Sequence, residues 1–496
     1  MPLTACTFVL FGATGDLTRR KLLPALFRLF NANSLPERFA VVGFALPDKK
    51  TPNYHEFIRA ALQEFIPENE RAEHRMEQFI ELTSFVAANF TDAEGYDRLK
   101  AELARVDGER GTFGNHLYYL ATPPALVPDI LRHLHQDGLV TQASSHAPWT
   151  RIIAEKPFGT DRDSARRLTN QFHEVVKEDQ VYRIDHYLGK DAVQDVSVLR
   201  FANSMFEPLW NRNHIDQVQV TVAETLGVGN RGGYFDAMGQ TRDMVQSHAL
   251  QVISLLAMEP PNSFAANAVR QEKAKVLDAM RPLNNYHAVR GQYGAGHGPN
   301  GESVPGYAQE PSVPAGSCTE TFMAAKLSIE SWRWSGVPFY IRAGKRLPKQ
   351  LTEVLIQFKG APLPLFRGST RRPEPNILRL RIQPDAEISL IVELKKPGTL
   401  NDLIPVELDM LYGEAFKVPL KDAYERLLLD ALNGDAVLFM REDEIDAAWR
   451  VVDPLLAYWN QDPVDFPNYA AGTWGPEAAD ELLARDNRKW LSLDGF

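Results

Sequence analysis

The stretch that most limits how this chain can fold is its beginning. Residues 7–11 are a short apolar run of strand formers, Gly12-Ala13-Thr14-Gly15-Asp16-Leu17-Thr18 follows, and a helical pattern continues from Arg19 to about Phe30. In that order, glycines let backbone N–H groups approach a pyrophosphate, and the helix N-terminus adds a favourable dipole. A third glycine is absent, and Thr18 takes its place. On these residues alone, a plain tight turn is the competing explanation. Pro24, inside the helical pattern, predicts a kink or a delayed helix. A second strand, residues 39–44, follows at the spacing of a βαβ unit.

At 496 residues the chain has room for two domains or more. Its formal net charge of −10 argues against nucleic acid as a partner, and an acidic protein that binds an anion must gather positive charge locally. With only Cys6 and Cys318 there is no disulfide framework, which fits a reducing compartment. The first apolar run has no basic segment before it and is too short for a signal peptide or a membrane span, and no later stretch approaches a span. A cytoplasmic protein without a membrane partner is expected. No cysteine- or histidine-rich cluster suggests a metal.

Further along, residues 151–154 read as a buried strand ending in Glu155-Lys156-Pro157-Phe158-Gly159. Ligands of open parallel sheets bind beyond the carboxyl ends of strands, so Glu155 and Lys156 are well placed, although a surface ion pair would look the same. Residues 183–190 read RIDHYLGK, crowding a carboxylate, an imidazole, a phenol and an ammonium into Asp185–Lys190. On a helical turn His186 and Lys190 would share a face, and a helix starting at Lys190 would add free N–H groups. The result would be a phosphate cradle; an ordinary polar loop is the alternative.

Residues 216–223 alternate as a strand and lead to Glu224. Residues 242–258 are mostly apolar and read as a buried α-helix, with Asp243, Ser247 and Gln251 on one stripe and His248 at its edge. Such a stripe must be satisfied within the core or used. Residues 268–277 read as a charged helix surface, and residues 422–454 as amphipathic helices.

RIDHYLGK resembles the active-site signature of glucose-6-phosphate dehydrogenases. GATGDLTRRKLLPALF, EKPFG, the segment around His248, residues 319–347 ending in Gly344-Lys345-Arg346, and GTWGP near the end are similar to the same family in the same order. The resemblance implies an α/β Rossmann-like dinucleotide-binding domain, residues 1–184. A larger α+β domain with a mostly antiparallel sheet, residues 185–496, would bind substrate and form a homodimer or dimer of dimers. It implies oxidation of D-glucose 6-phosphate at C1 to the 6-phospho-lactone, with hydride passing to NADP, as the first step of the pentose phosphate pathway. His248 would be the base and Asp185 its orienting carboxylate. Lys156, His186, Tyr187, Lys190, Glu224, Asp243, Lys345 and Gln383 would bind substrate. Gly12, Thr14, Gly15, Asp16, Leu17, Glu155 and Lys156 would bind coenzyme.

Two positions depart from the family pattern. Where an arginine usually selects NADP there is Leu46, with Lys49, Lys50, Thr14 and Arg19 as substitutes, which leaves NAD use open. Where a second basic residue is expected there is Gln350, beside Lys349. A non-catalytic sugar-phosphate-binding regulator on the same fold is the rival from another class.

Overall fold

Cys6–Phe11 is buried on both faces, as a strand between two neighbours of a helix-covered sheet must be. The computed structural model describes residues 3–143, 148–363, 365–366, 373–417, 421–462 and 464–492. They form two compact units. The first comprises the chain up to Gly189 together with Asn262–Arg270 and Lys421–Asp446, and the second comprises the remainder.

In the first unit six strands run parallel: β1 (Cys6–Phe11), β2 (Phe39–Ala45), β3 (Thr83–Ala87), β4 (His116–Leu120), β5 (Thr150–Ala154) and β6 (Val181–Ile184). Their order is β6-β5-β4-β1-β2-β3, with Phe439–Met440 added antiparallel outside β6. The order reverses between β1 and β4, and that crevice is where such sheets bind dinucleotides. The late helix Ala423–Asn433 buries Leu427, Leu428 and Ala431 in the same apolar core as Phe8, Leu26 and Phe27.

As Pro24 predicts, the regular α-helix is delayed, starting at Leu23 rather than Arg19. Thr18–Leu22 forms a widened π turn in which the Leu23 N–H reaches back to the Thr18 carbonyl. Pro24 then enters the first turn of the helix Leu23–Asn31, where a missing N–H is tolerated.

The second unit holds an eight-stranded sheet of β7 (Ile215–Ala223), β8 (Ala288–Gly291), β9 (Phe322–Ser328), β10 (Pro338–Gly344), β11 (Leu351–Phe358), β12 (Ile377–Gln383), β13 (Glu387–Lys395) and β14 (Leu403–Leu411). Its order is β14-β13-β12-β11-β7-β10-β9-β8, and every pair is antiparallel except β7 with β10. On β13 and β14 one face carries charge: Arg379 of β12 meets Glu353 at 3.1 Å and Glu407 at 3.2 Å. The other face is apolar, with Ile388, Leu390, Val392 and Leu394 paired against Met410, Leu408, Val406 and Ile404. Leu394 is 48% and Leu408 55% exposed, so this face lacks a cover among the described residues.

Three helical expectations change. The segment around His248 is not an α-helix throughout: Thr241–Ala249 is a π-helix, and α geometry resumes at Leu250–Ala257. A ladder bonded five residues apart changes which side chains share a face, so the α stripe of Asp243, Ser247 and Gln251 does not carry over unchanged. Residues 185–189 form a turn, closed by the Leu188 N–H on the Asp185 carbonyl at 3.0 Å, and the helix Asp191–Phe201 starts only after it. His186 and Lys190 therefore do not share a helical face. The helix Ala266–Ala279 is also less of a surface than its charges imply, since Arg270 and Lys273 are buried. Among the described residues no helix is long and apolar enough to cross a membrane.

Candidate active site

The glycine turn after β1 is built for close approach. Gly12 has φ +83°, and a Cβ there would lie 2.3 Å from the Ala121 carbonyl oxygen at the end of β4. The Gly15 N–H closes onto the Gly12 carbonyl at 2.9 Å, and the buried Thr18 hydroxyl donates to the same carbonyl at 2.8 Å. Thr18 thus stabilises the turn that a third glycine would otherwise shape. Beside Gly12, the buried Thr122 hydroxyl has no hydrogen-bond partner among the described residues. An unsatisfied polar atom in this crevice fits a bound dinucleotide. Asp16 and Leu17 open the helical segment after the turn, Asp16 exposed to solvent.

The end of β2 would face the coenzyme ribose. Leu46 is 57% exposed, and its carbonyl accepts from the Thr14 hydroxyl at 2.9 Å. Asp48 is committed to its own turn, where Oδ1 accepts from the N–H groups of Lys50 at 2.9 Å and Thr51 at 2.7 Å. Arg19 is paired with Glu64 at 2.5 Å. Lys49 and Lys50 are exposed, and neither forms an ion pair among the described residues.

After β5, the Glu155 carboxylate accepts from the Tyr119 hydroxyl at 2.5 Å and from the Tyr424 hydroxyl. Burial raises its pKa above the ordinary carboxylate value, against the lowering by the two tyrosines and the Lys156 ammonium. The Lys156–Pro157 bond is cis. In the turn after β6, Asp185 is fully buried and its Oδ1 accepts from the Tyr187 N–H at 2.9 Å. Tyr187 is buried, and its ring meets that of His186 edge-on, with centroids 5.1 Å apart.

In the second unit the parallel pair β7–β10 sets Ala223 opposite Gly344, so the next residues, Glu224 and Lys345, emerge side by side. Lys345 Nζ lies 2.6 Å from Glu224 Oε2 and 5.1 Å from the Phe235 ring centroid. With Asp243 they line a cavity of about 450 Å³, the volume of a small-molecule site. The π-helix that supplies Asp243 also carries His248, which is 1% exposed. Elsewhere in this unit Lys190 donates to the side chain of Gln383, at the end of β12.

Arg346 is the cavity residue that sequence reasoning missed. Neither Lys349 nor Gln350 lines the cavity; the Gln350 side-chain Oε1 accepts from the Thr225 N–H at 3.3 Å. Arg346 does line it, in a left-handed backbone conformation of φ 53° and held by Glu310 at 3.1 Å. The signal was a third residue in Gly344-Lys345-Arg346, but nothing in sequence shows that the backbone turns it inward. The fold also assembles a group without sequence spacing: His173, Glu178 and Glu442 bring their ligand atoms within 4.8 Å of one another. Glu178 is shared there with Arg183 at 2.6 Å.

A parallel nucleotide sheet with a glycine turn at its switch point, and a second unit with a lysine–carboxylate cavity, define a nicotinamide-dinucleotide dehydrogenase of an oxygen-rich substrate. Residues 9–195 match the glucose-6-phosphate dehydrogenase NAD binding domain, and residues 197–491 the glucose-6-phosphate dehydrogenase C-terminal domain. The chain is 47% identical over 496 residues to the glucose-6-phosphate 1-dehydrogenase of Aggregatibacter actinomycetemcomitans, covering 99% of this chain and 98% of the relative. It is 44% identical over 492 residues to that of Chlamydia muridarum, covering 98% and 97%. A solved structure of a glucose-6-phosphate dehydrogenase in complex with its substrate superposes with a TM-score of 0.89 at 35% identity, over 99% of this chain and 100% of that one. The chain belongs to the glucose-6-phosphate dehydrogenase family.

Proposed function

We propose that this chain oxidises D-glucose 6-phosphate at C1 to 6-phospho-D-glucono-1,5-lactone with NADP as coenzyme, in the cytoplasm, as the entry step of the pentose phosphate pathway. The observation that carries the substrate reading is the Lys345–Glu224 pair at 2.6 Å on the wall of the 450 Å³ cavity, with Asp243 beside it. Carboxylates and an ammonium suit sugar hydroxyls, which both accept and donate.

His248 acts as the base for the C1 hydroxyl proton, because an imidazole titrates near working pH. Asp185 steadies the imidazolium that results. His186, Tyr187 and Lys190 hold the phosphate, with Gln383 fixing the direction of Lys190. Glu224, Asp243, Lys345 and Lys156 hold the sugar, and this fixed orientation is the larger part of the rate gain. Gly12, Thr14, Gly15, Asp16, Leu17 and Lys156 hold the coenzyme, whose nicotinamide ring, when bound, supplies the hydride acceptor.

The preference for NADP rests on charge at the end of β2. A 2′-phosphate needs a cation and a 2′-hydroxyl an acceptor. The nearby acid, Asp48, spends its Oδ1 on the N–H groups of Lys50 and Thr51, whereas Lys49 and Lys50 are exposed. These lysines take the place of the arginine that Leu46 replaces.

A second copy of the chain is the proposed partner. The uncovered apolar face of β13 and β14 is self-complementary, which suits the two-fold interface of a homodimer.

Three measurements follow. Initial rates with NADP and NAD titrated separately should give a higher kcat/KM for NADP, and replacing Lys49 and Lys50 with alanine should raise the KM for NADP but not for NAD. Equal rates with both coenzymes in the parent chain would refute the preference. His248→Asn should lower kcat by roughly 10²–10⁴-fold, the usual worth of general base catalysis, while calorimetry finds glucose 6-phosphate binding little changed. Near-normal turnover would remove His248 as the base, and binding without turnover in the parent chain would point to a regulator. Leu408→Glu should convert a dimer to a monomer by light scattering; an unchanged dimer would place the interface elsewhere.

A further inference from the structure

Three consecutive residues late in the chain, Asp422, Ala423 and Tyr424, touch three early segments that carry site residues. Asp422 caps the helix Ala423–Asn433 by accepting from the Tyr424 N–H at 2.9 Å, and its other oxygen meets Lys21 Nζ at 2.8 Å. Lys21 belongs to the π turn that follows the glycine loop. Ala423 packs on Gly189, which closes the Asp185–Gly189 turn: a Cβ at Gly189 would lie 2.8 Å from the Ala423 carbonyl oxygen and 3.0 Å from its Cβ. Tyr424 is buried, and its hydroxyl donates to Glu155. The first turn of one helix thus fixes the coenzyme loop, the phosphate-site turn and the end of β5.

The contact with Glu155 has the most direct chemical consequence. Glu155 and Lys156 are adjacent and directly follow β5, which ends at Ala154. Tyr119 and Tyr424 hold the Glu155 carboxylate inward between them. Holding the Glu155 carboxylate in place also holds the backbone from which the next side chain, Lys156, extends. We propose that Tyr424 is a positioning residue for Lys156, acting through Glu155, so that the helix at 423–433 sets the aim of the lysine shared by substrate and coenzyme. This rests on the role given to Lys156 above. It also explains a chemical oddity, a carboxylate held by two phenols one residue before the site lysine. Burial raises the Glu155 pKa, yet the tyrosines and Lys156 all favour its charged form.

The test is a double-mutant cycle of Tyr424→Phe and Lys156→Ala, read as the KM values for glucose 6-phosphate and coenzyme, kcat, and Tm. Tyr424→Phe removes one hydrogen bond and should raise both KM values by about 3–10-fold, with Tm changed by only a few degrees. Lys156→Ala should raise both KM values further. In the Lys156→Ala background, Tyr424→Phe should add no further effect on KM, because the residue it positions is gone. Full additivity would overturn the proposal and leave Tyr424 a structural residue. If Lys156→Ala itself left both KM values unchanged, the role of Lys156 would fail instead, which is a separate result. Should Tyr424→Phe not fold, Tyr119→Phe and Glu155→Gln run through the same cycle carry the same expectations.

Discussion

The single parallel pairing in an otherwise antiparallel sheet governs the sugar side of this protein. Antiparallel neighbours end at opposite edges of a sheet, so their terminal residues cannot meet. Because β7 and β10 run together, Ala223 and Gly344 stand in register and the next two residues leave the sheet from the same edge. That geometry brings Glu224 and Lys345 to 2.6 Å across 121 positions of sequence. The remaining wall is then local: the loop from Leu226, the aromatic ring of Phe235, and Arg346 turned inward by its left-handed backbone.

A second recurrent device is the widened helix. Both segments that enter a site from a helix do so through π geometry, Thr18–Leu22 behind the glycine turn and Thr241–Ala249 around Asp243 and His248. A π turn gives up ideal hydrogen bonding and shifts which side chains share a face. In the first case it accommodates Pro24; in the second it changes the spacing around Asp243 and His248. Such turns are retained in proteins mostly where function uses the altered spacing.

Much of this was legible in the sequence, and what was not has physical causes. β1, β2, β5 and β7 are found close to where apolar runs and alternation place them, because burial patterns in strands depend only on near neighbours. The order of motifs was enough to identify the family. Alternation could not reveal which strand pairs with which, so the meeting of Glu224 with Lys345 had to come from the fold. Helical periodicity assumed the α repeat, which Thr241–Ala249 does not follow, and of the two readings of 185–190 the structure has the turn. The amphipathic pattern of 422–454 was visible, but not that its first part belongs to the unit built from the first 189 residues. Glu155 was legible as a residue beyond the carboxyl end of a strand, but not the two tyrosines that meet its carboxylate, one of them 269 positions later.

The central claim is that positive charge is gathered here, in a chain of formal net charge −10, in order to hold a phosphorylated sugar for oxidation. It is tested most directly by comparing initial rates of nicotinamide reduction with glucose 6-phosphate and with unphosphorylated glucose at equal concentration. Charge-assisted hydrogen bonds to the phosphate should raise kcat/KM for glucose 6-phosphate over glucose by roughly 10³-fold or more, since each such bond contributes about 1.5–3 kcal/mol. Comparable rates with the two sugars, or no reduction with either, would contradict the account.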